Sequence, residues 1–401
     1  MAQMKLTEIG SLSRGKSMHR PRNDKNLYGG KYPFVQTSDI KNANHILQTY
    51  EQTYNENGLK QSKLWSKNTI CITIAANIAE SAILGFDACF PDSVLGLVVD
   101  DKIADYHYIE YMLQHYKKTI QNQANGTSQE NINLGTFEKV YFEIPNLPTQ
   151  KKIGQILSAL DDKISLNDKI NSLLEKMAKL LYERYFLQFD FPDKNGKPYK
   201  TSGGAMKHSP LLNHPIPTTF EVRTIGDLVR KNSKKAQKDS TKSLIDLSVM
   251  PENTFCLNSH NAGDTFNTNL FEMQEFDILF GAIRPYLKKA GFAPFDGLVT
   301  GTIHSMKAID PEFFSFILLT LTHKSFFDYA VSISKGTKMP IIAYDDLANF
   351  KIPFNESIVR KFSNILNFKE IIAQNIKQSQ TLKALRDYLL PLLINGQIKL
   401  A

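Results

Sequence analysis

Residues 153–204 read IGQILSALDDKISLNDKINSLLEKMAKLLYERYFLQFDFPDKNGKPYKTSGG, and the organisation of the chain follows from how this block is built. Between 150 and 186 there is no proline, and the one glycine, Gly154, lies in the first turn. Ile153, Leu160, Asn167, Leu174 and Leu181 fall seven apart, and Leu157, Ile164, Asn171, Ala178 and Tyr185 stand four residues on. That spacing predicts one long helix with a heptad seam. At 1.5 Å per residue it would run roughly 55 Å, more than one small domain requires. Past Phe186 the pattern stops, and the Pro, Asp, Gly and Lys content of 188–219 predicts an extended linker with tight turns.

A second helical pattern runs from 357 to about 394 through Phe362, Ile365, Phe368, Ile372, Ile376, Leu382, Leu385 and Leu389, with Pro391 and Gly396 at its end. Two amphipathic helices of matched length are satisfied most simply by packing on each other. The spacing therefore predicts an antiparallel coiled coil, with polar Asn167 and Asn171 setting its register.

The rest of the chain repeats with a period near 209 residues. The stretch Leu6-Thr-Glu-Ile9-Gly10-Ser-Leu12 resembles Val222-Arg-Thr-Ile225-Gly226-Asp-Leu228, and Asn125-Gly126-Thr127 recurs as Lys335-Gly336-Thr337. Ile144-Pro145 and Ile352-Pro353 each close an extended run, and Lys152 to Leu157 is echoed by Lys361 to Leu366. The order is kept from end to end, which predicts a duplicated module of one globular domain and one long helix. Strand-like runs at 32–35, 68–74, 94–99 and 140–144, with a helix over 105–121, make the first domain mixed α/β. Runs at 243–249, 277–283 and 298–306, with a helix over 311–331, do the same for the second.

With 401 residues the chain has room for two cores, and 42% hydrophobic against 22% charged residues excludes disorder and collagen-like structure. The most apolar stretch, 81–99, is interrupted by Asp87, Pro91 and Asp92 and is no membrane span. The N-terminus lacks a secretory signal, and Cys71, Cys89 and Cys256 fit neither a disulfide framework nor a zinc site, so a cytoplasmic location with buried thiols is expected. The net charge of +8 favours a polyanionic partner, and it is concentrated. Residues 1–35 carry Lys5, Arg14, Lys16, Arg20, Arg22, Lys25 and Lys31 against Glu8 and Asp24. Residues 222–243 carry Arg223, Arg230, Lys231, Lys234, Lys235, Lys238 and Lys242 against Asp227 and Asp239. Arg284, Lys288 and Lys289 form a further cluster around Tyr286. Basic loops at matching places in a duplicated module are what two phosphate-contacting surfaces need.

Gly10 to Ser17 satisfies the phosphate-loop pattern G-x-x-x-x-G-K-[ST], yet Pro21 and a polar run follow where that loop needs a helix. Two competing classes are a phosphate-loop nucleotidase with a coiled-coil arm and a scaffold that touches no nucleic acid. No N/D-P-P-Y/F, G-x-G-x-x-G or H-E-x-x-H motif occurs, and the histidines are scattered. No catalytic or metal-ligating set is identified.

The block from 153 to 204, the two Ile-Pro junctions, the run DILFGAIRPYLKKAGFA from Asp277 and the ending LLINGQI together resemble the specificity subunit of type I restriction-modification systems, along essentially the whole chain. The resemblance implies an α/β fold with two similar target-recognition domains, at 1–148 and 220–353. They would be separated by helical spacers at 149–187 and 354–401, with a linker at 188–219, as a pseudo-two-fold internal repeat. Each domain would read one half of a split double-stranded DNA target. Two modification subunits and two restriction subunits would dock on the spacers, and S-adenosylmethionine, ATP and Mg would be used by those partners, with no cofactor bound by this chain. The run ITIAANIAESAILG departs from the Gly-rich loop often found in relatives. Base and phosphate contacts are expected from Arg14, Lys16, Arg20, Arg22 and Thr127 in the first domain. In the second they are expected from Lys231, Lys234, Lys235, Arg284, Lys288, Thr337 and Lys338, because Arg, Lys and Thr are side chains that engage phosphates and base edges. Spacer packing and subunit docking are expected from Leu160, Ile164, Asn167, Leu174, Leu181, Ile372, Ile376 and Leu385.

Overall fold

The computed structural model describes residues 1–75, 78–125, 134–137, 140–398 and 400. The chain divides into two compact units, Met1–Ile164 with Thr381–Ala401, and Ser165–Gln380. Each unit takes one globular domain and a share of both long helices.

In the first unit, strand Ala2–Met4 pairs antiparallel with Phe142–Ile144, joining the two ends of the domain. Among the described residues a five-stranded sheet follows the order Gly10–Arg14, Val94–Val99, Ile70–Thr73, Ser81–Leu84 and Ile46–Leu47. A second sheet orders Gln52–Tyr54, Tyr28–Phe34, Ala88–Cys89 and Leu64–Trp65. Helix Tyr106–Asn125 lays Tyr108, Ile109, Tyr111 and Met112 into one core with Ile70, Ile72, Leu95 and Leu97. Ile153 and Leu157 from the central helix, and Leu393 and Ile394 from the C-terminal one, complete that core. Gly96 is required where Trp65 stacks on Phe90, because a Cβ there would lie 2.5 Å from the indole ring.

The second unit repeats the plan. Strand Glu221–Thr224 pairs antiparallel with Lys351–Phe354. Among the described residues one sheet orders Val229–Asn232, Ile303–Ala308, Ile278–Gly281 and Ala290–Phe292. Another orders Lys235–Ala236, Leu270–Met273, Gly297–Thr300, Ser243–Ile245 and Asn261–Ala262. Its core is aromatic, with Phe280, Phe292, Phe316, Phe354 and Phe362 all buried.

The repeat is real, with its first match displaced. After the first closing strand, the Glu8 carboxylate accepts the Lys5 N–H at 2.7 Å, and Leu6 and Ile9 are buried. After the second, the Asp227 carboxylate accepts the Thr224 N–H at 2.7 Å, and Ile225 and Leu228 are buried. Leu6 is therefore the counterpart of Ile225, three residues before the Ile9-Gly10 pair that sequence identity selects. The helix starts do match at the expected 209-residue interval: Asn146 Oδ1 accepts from Thr149 N–H and Asn355 Oδ1 from Ile358 N–H, each at 3.0 Å.

Several expected elements are subdivided. The run 298–306 is two strands in different sheets, Gly297–Thr300 and Ile303–Ala308, because the chain turns at Gly301-Thr302. The helix over 311–331 breaks at His323, whose ring Nδ1 accepts the Ser325 N–H at 3.1 Å and starts a new helix, Lys324–Ile333. The second spacer is two helices, Glu356–Ile365 and Lys369–Ile394. Leu366 and Phe368 between them are both buried, and residues two apart cannot share one face of an α-helix. The second helix continues through Pro391 to Ile394, and Gly396 at φ 66° follows its end. The segment 188–219 is folded rather than extended. Phe189 and Phe191 pack on Phe220, Tyr199 stacks on Phe191, and Met206–Ser209 forms a hairpin with His214–Pro217.

The central helix, Leu147–Tyr182, continues as a widened turn, Glu183–Leu187. Its buried face runs through Ile153, Leu157, Asp161, Ile164, Asn167, Asn171, Glu175, Ala178 and Tyr182. That is a repeat of about 3.6 residues, close to the 3.5 of a heptad seam. Leu160, Leu174 and Leu181 from the expected heptad lie half-buried beside this face. In the second unit the pairing is antiparallel: Asn167 Nδ2 donates to Ser379 Oγ at 3.2 Å and Gln378 Oε1 at 2.9 Å, while Asn375 Nδ2 donates to Asn171 Oδ1 at 2.9 Å. Ile372 and Ile376 are buried there, whereas in the first unit Leu385 points outward, 43% exposed, and Arg386 turns inward instead. Among the described residues no helix is long and apolar enough to cross a membrane.

Candidate nucleic-acid interface

In the first unit the basic loop leaves the end of strand Gly10–Arg14, where Arg14 lies opposite Leu95. The phosphate-loop pattern is strand followed by irregular chain. Gly15 N–H donates to Val94 O at 2.8 Å and Lys16 N–H to Phe90 O at 3.1 Å, so these amides are spent on the fold. Arg14 and Lys16 are exposed and make no ion pair among the described residues. Arg20 is folded back, its Nη1 donating to Ser17 O at 2.7 Å and His19 O at 2.8 Å. Arg22 Nη2 donates to Asp92 Oδ1 at 2.5 Å. Asp24 accepts the Asn26 N–H and pairs with His19, which hold its carboxyl below the usual range. Thr127 lies outside the described residues.

The same loop borders an open cleft of about 680 Å³ that composition could not disclose. Its mouth carries Asn23, Lys25, Gln36 and Gln52, with Phe34 and Tyr28 beneath. Gln36 and Gln52 are brought together by the pairing of Phe34 with Gln52, a contact with no local signal in the sequence.

In the second unit the residues expected to bind DNA fall into separate groups. Arg284 and Lys288 flank the short turn Pro285–Leu287, each in the left-handed region at φ 52°. Arg284 N–H donates to Pro340 O at 2.7 Å, and Ile341 bridges to both Ile283 and Lys335. The turn and the loop 335–341 thus form one backbone-tied protrusion bearing Arg284, Lys335, Thr337 and Lys338, with Tyr286 and Met339 about half exposed. Lys335 belongs to this group and was not singled out from the sequence as a contact residue. Strain stored at two non-glycine positions is characteristic of functional loops. Lys288 itself leans into a smaller cleft with Lys179, His323 and Lys324.

Lys231 lies on strand Val229–Asn232, its ammonium 4.9 Å from the centre of the Tyr344 ring. His304 stands beside Tyr344 and shares a hydrogen bond with Ile342 O at 2.9 Å; burial holds its pKa down, and the Lys231 charge acts in the same sense. Lys234 is neutralised by Glu272 at 2.7 Å, and Lys235 sits exposed on the edge strand of the other sheet. Lys289 is withdrawn altogether, donating to Leu247 O at 2.7 Å. No group of His, Cys, Asp and Glu able to hold a metal occurs among the described residues. The three cysteines are buried, and desolvation raises each thiol pKa.

A duplicated α/β module with exposed cationic side chains in each copy is the arrangement that a protein recognising DNA requires. Residues 1–176 match the family described as the type I restriction modification DNA specificity domain. Over 420 residues the chain is 26% identical to the type I restriction enzyme MjaIX specificity subunit of Methanocaldococcus jannaschii, covering 98% of this chain and 93% of that one. It is 23% identical over 405 residues to the MjaVIII specificity subunit of the same organism, covering 92% and 87%. The crystal structure of the type I restriction-modification S subunit from M. genitalium shares the fold, with a TM-score of 0.62 at 16% identity over 98% of this chain and 95% of that one. Along nearly its whole length the chain is similar to specificity subunits of type I restriction-modification systems, and residues 1–176 match that family's DNA specificity domain.

Proposed function

We propose that this chain is the subunit that gives a type I restriction-modification complex its DNA sequence, reading an asymmetric target in two parts and seating the enzymatic subunits. The observation that carries this reading is the same module built twice with different outward side chains. The first copy presents Arg14, Lys16 and an amide-lined cleft, and the second presents Arg284, Lys338 and Lys231. A symmetric dimer reads a palindrome, whereas two unlike copies in one chain read two unlike half-sites. Those half-sites would be spaced on the order of one helical turn, roughly 34 Å, or more.

Methyl transfer, translocation and cleavage are assigned in this reading to two modification and two restriction subunits, which supply S-adenosylmethionine, ATP and Mg chemistry in the cytoplasm. Docking is supported by an apolar stripe on the second unit's part of the central helix. Leu166, Leu173, Met177 and Leu180 are all exposed there and lie within a narrow sector of the helix. The test is methylome sequencing with and without the gene. Loss of one split adenine-methylation motif is expected, and survival of every motif overturns the assignment.

A further inference from the structure

We infer that Gln36, oriented by Gln52, reads an adenine in the half-site bound by the first unit. The inference rests on the DNA-recognition reading above and adds to it the chemistry of one contact. Backbone geometry fixes both residues. Gln36 precedes helix Thr37–Asn42 and its N–H donates to Asp39 Oδ2 at 2.8 Å, while Gln52 opens strand Gln52–Tyr54 opposite Phe34. Gln36 Nε2 donates to Gln52 Oε1 at 2.8 Å, which settles the direction of the Gln36 amide. That bond leaves on the Gln36 amide a second N–H and a lone pair of Oε1 for a further partner.

An acceptor beside a donor matches the adenine edge in the major groove, where N6 donates and N7 accepts. Guanine offers two acceptors there, and cytosine a donor alone. Both glutamines are exposed at the mouth of the cleft, so a base edge lying across it meets them before the buried Phe34. Lys25 at the same mouth is exposed, without an ion pair among the described residues, and is available to a phosphate. Arg22 faces the cleft already committed to Asp92, and so contributes little net charge. The site is thus weakly cationic and rich in amides, a balance that favours reading over anchoring.

The test uses the full chain assembled with its modification subunits and duplexes carrying the methylated target. Each adenine in turn is replaced by 7-deazaadenine, which removes the N7 acceptor. For the unaltered protein one adenine in the half-site of the first unit should show a loss of about tenfold in affinity, whatever penalties other adenines carry. With Gln36→Ala that penalty should vanish while the penalties at all other adenines persist. Gln52→Ala, which frees the amide from a different strand, should shrink the same penalty and no other. Identical profiles for the unaltered protein and both variants overturn the inference while leaving the DNA-recognition reading intact. That reading fails separately, if deleting the gene spares every split motif.

Discussion

Arg386 reaches Asp161 in the first unit, its Nη1 standing 2.6 Å from Oδ1 of a carboxylate that is 7% exposed, and the Tyr111 hydroxyl donates to Oδ2 at 2.6 Å. One buried carboxylate therefore joins the C-terminal helix, the central helix and the domain helix Tyr106–Asn125. Removing one partner of such a pair leaves a charge without compensation in a poorly solvated place. Arg386→Leu should cost about 3 kcal/mol, and the double variant Asp161→Leu/Arg386→Leu should recover most of it, because the pair as a whole is nearly balanced by its desolvation. Urea unfolding of the four proteins forms the double-mutant cycle, and an Arg386→Leu cost below about 0.5 kcal/mol would refute the argument.

The protrusion of the second unit supplies a salt test. Arg284→Ala and Lys338→Ala should each reduce the slope of log affinity against log salt by about 1, weakening all DNA sequences alike. Lys234→Ala should change it less, since Glu272 already neutralises that ammonium. Fluorescence anisotropy of labelled duplex between low and high salt distinguishes these outcomes, and three equal slopes would contradict the placement.

Leu173→Glu and Leu180→Glu alter side chains exposed on the central helix, so unfolding free energies should stay within about 0.5 kcal/mol of the unaltered protein. Copurification of the modification subunit should fall by about tenfold or more if this stripe is the docking face. Undiminished copurification by both variants would move docking elsewhere.

Stability should fall as pH drops from 7 towards 5. Burial holds the pKa values of His107, His115, His304 and His323 below the ordinary value of 6.5. Well above 6.5 these groups are neutral folded and unfolded and contribute no pH dependence. Below it the unfolded chain binds protons that the folded one takes up only at lower pH, so unfolding gains. His304→Gln should flatten the profile between pH 6.5 and 5 in urea melts, and an unchanged slope would show that His304 titrates normally.

The two spacer helices could be read from residue spacing, because α-helical hydrogen bonds join residues four apart and leave a periodic trace in the sequence. The seam could not be read in detail. Heptad counting selected Leu160, Leu174 and Leu181, whereas Asp161 and Glu175 are the residues fully inside. Asp161 is held by Arg386, distant in sequence, whereas Glu175 pairs with Lys179 one turn on and also takes hydrogen bonds from Thr254 and the Phe255 N–H across the core. A carboxylate reads as solvent-facing until the group that compensates it is known. The residues expected to contact DNA behave likewise. Composition located the basic loops, but Lys335 joined Arg284 only through strand bridges, and Arg22, Lys234 and Lys289 proved committed to neighbours.

The order of amino acids alone determined that one α/β module occurs twice, that long helices accompany it, and that positive charge is concentrated in residues 1–35 and 222–243. These are properties of composition and of short-range periodicity. Tertiary structure decided which strands pair, where the second spacer breaks at Leu366 to Phe368, and which cations remain free for a polyanion. It also decided that Gln36 meets Gln52. Pairings across a sheet and ion pairs across a core join residues tens to hundreds of positions apart. Their energies depend on burial and geometry that exist only once the chain has folded.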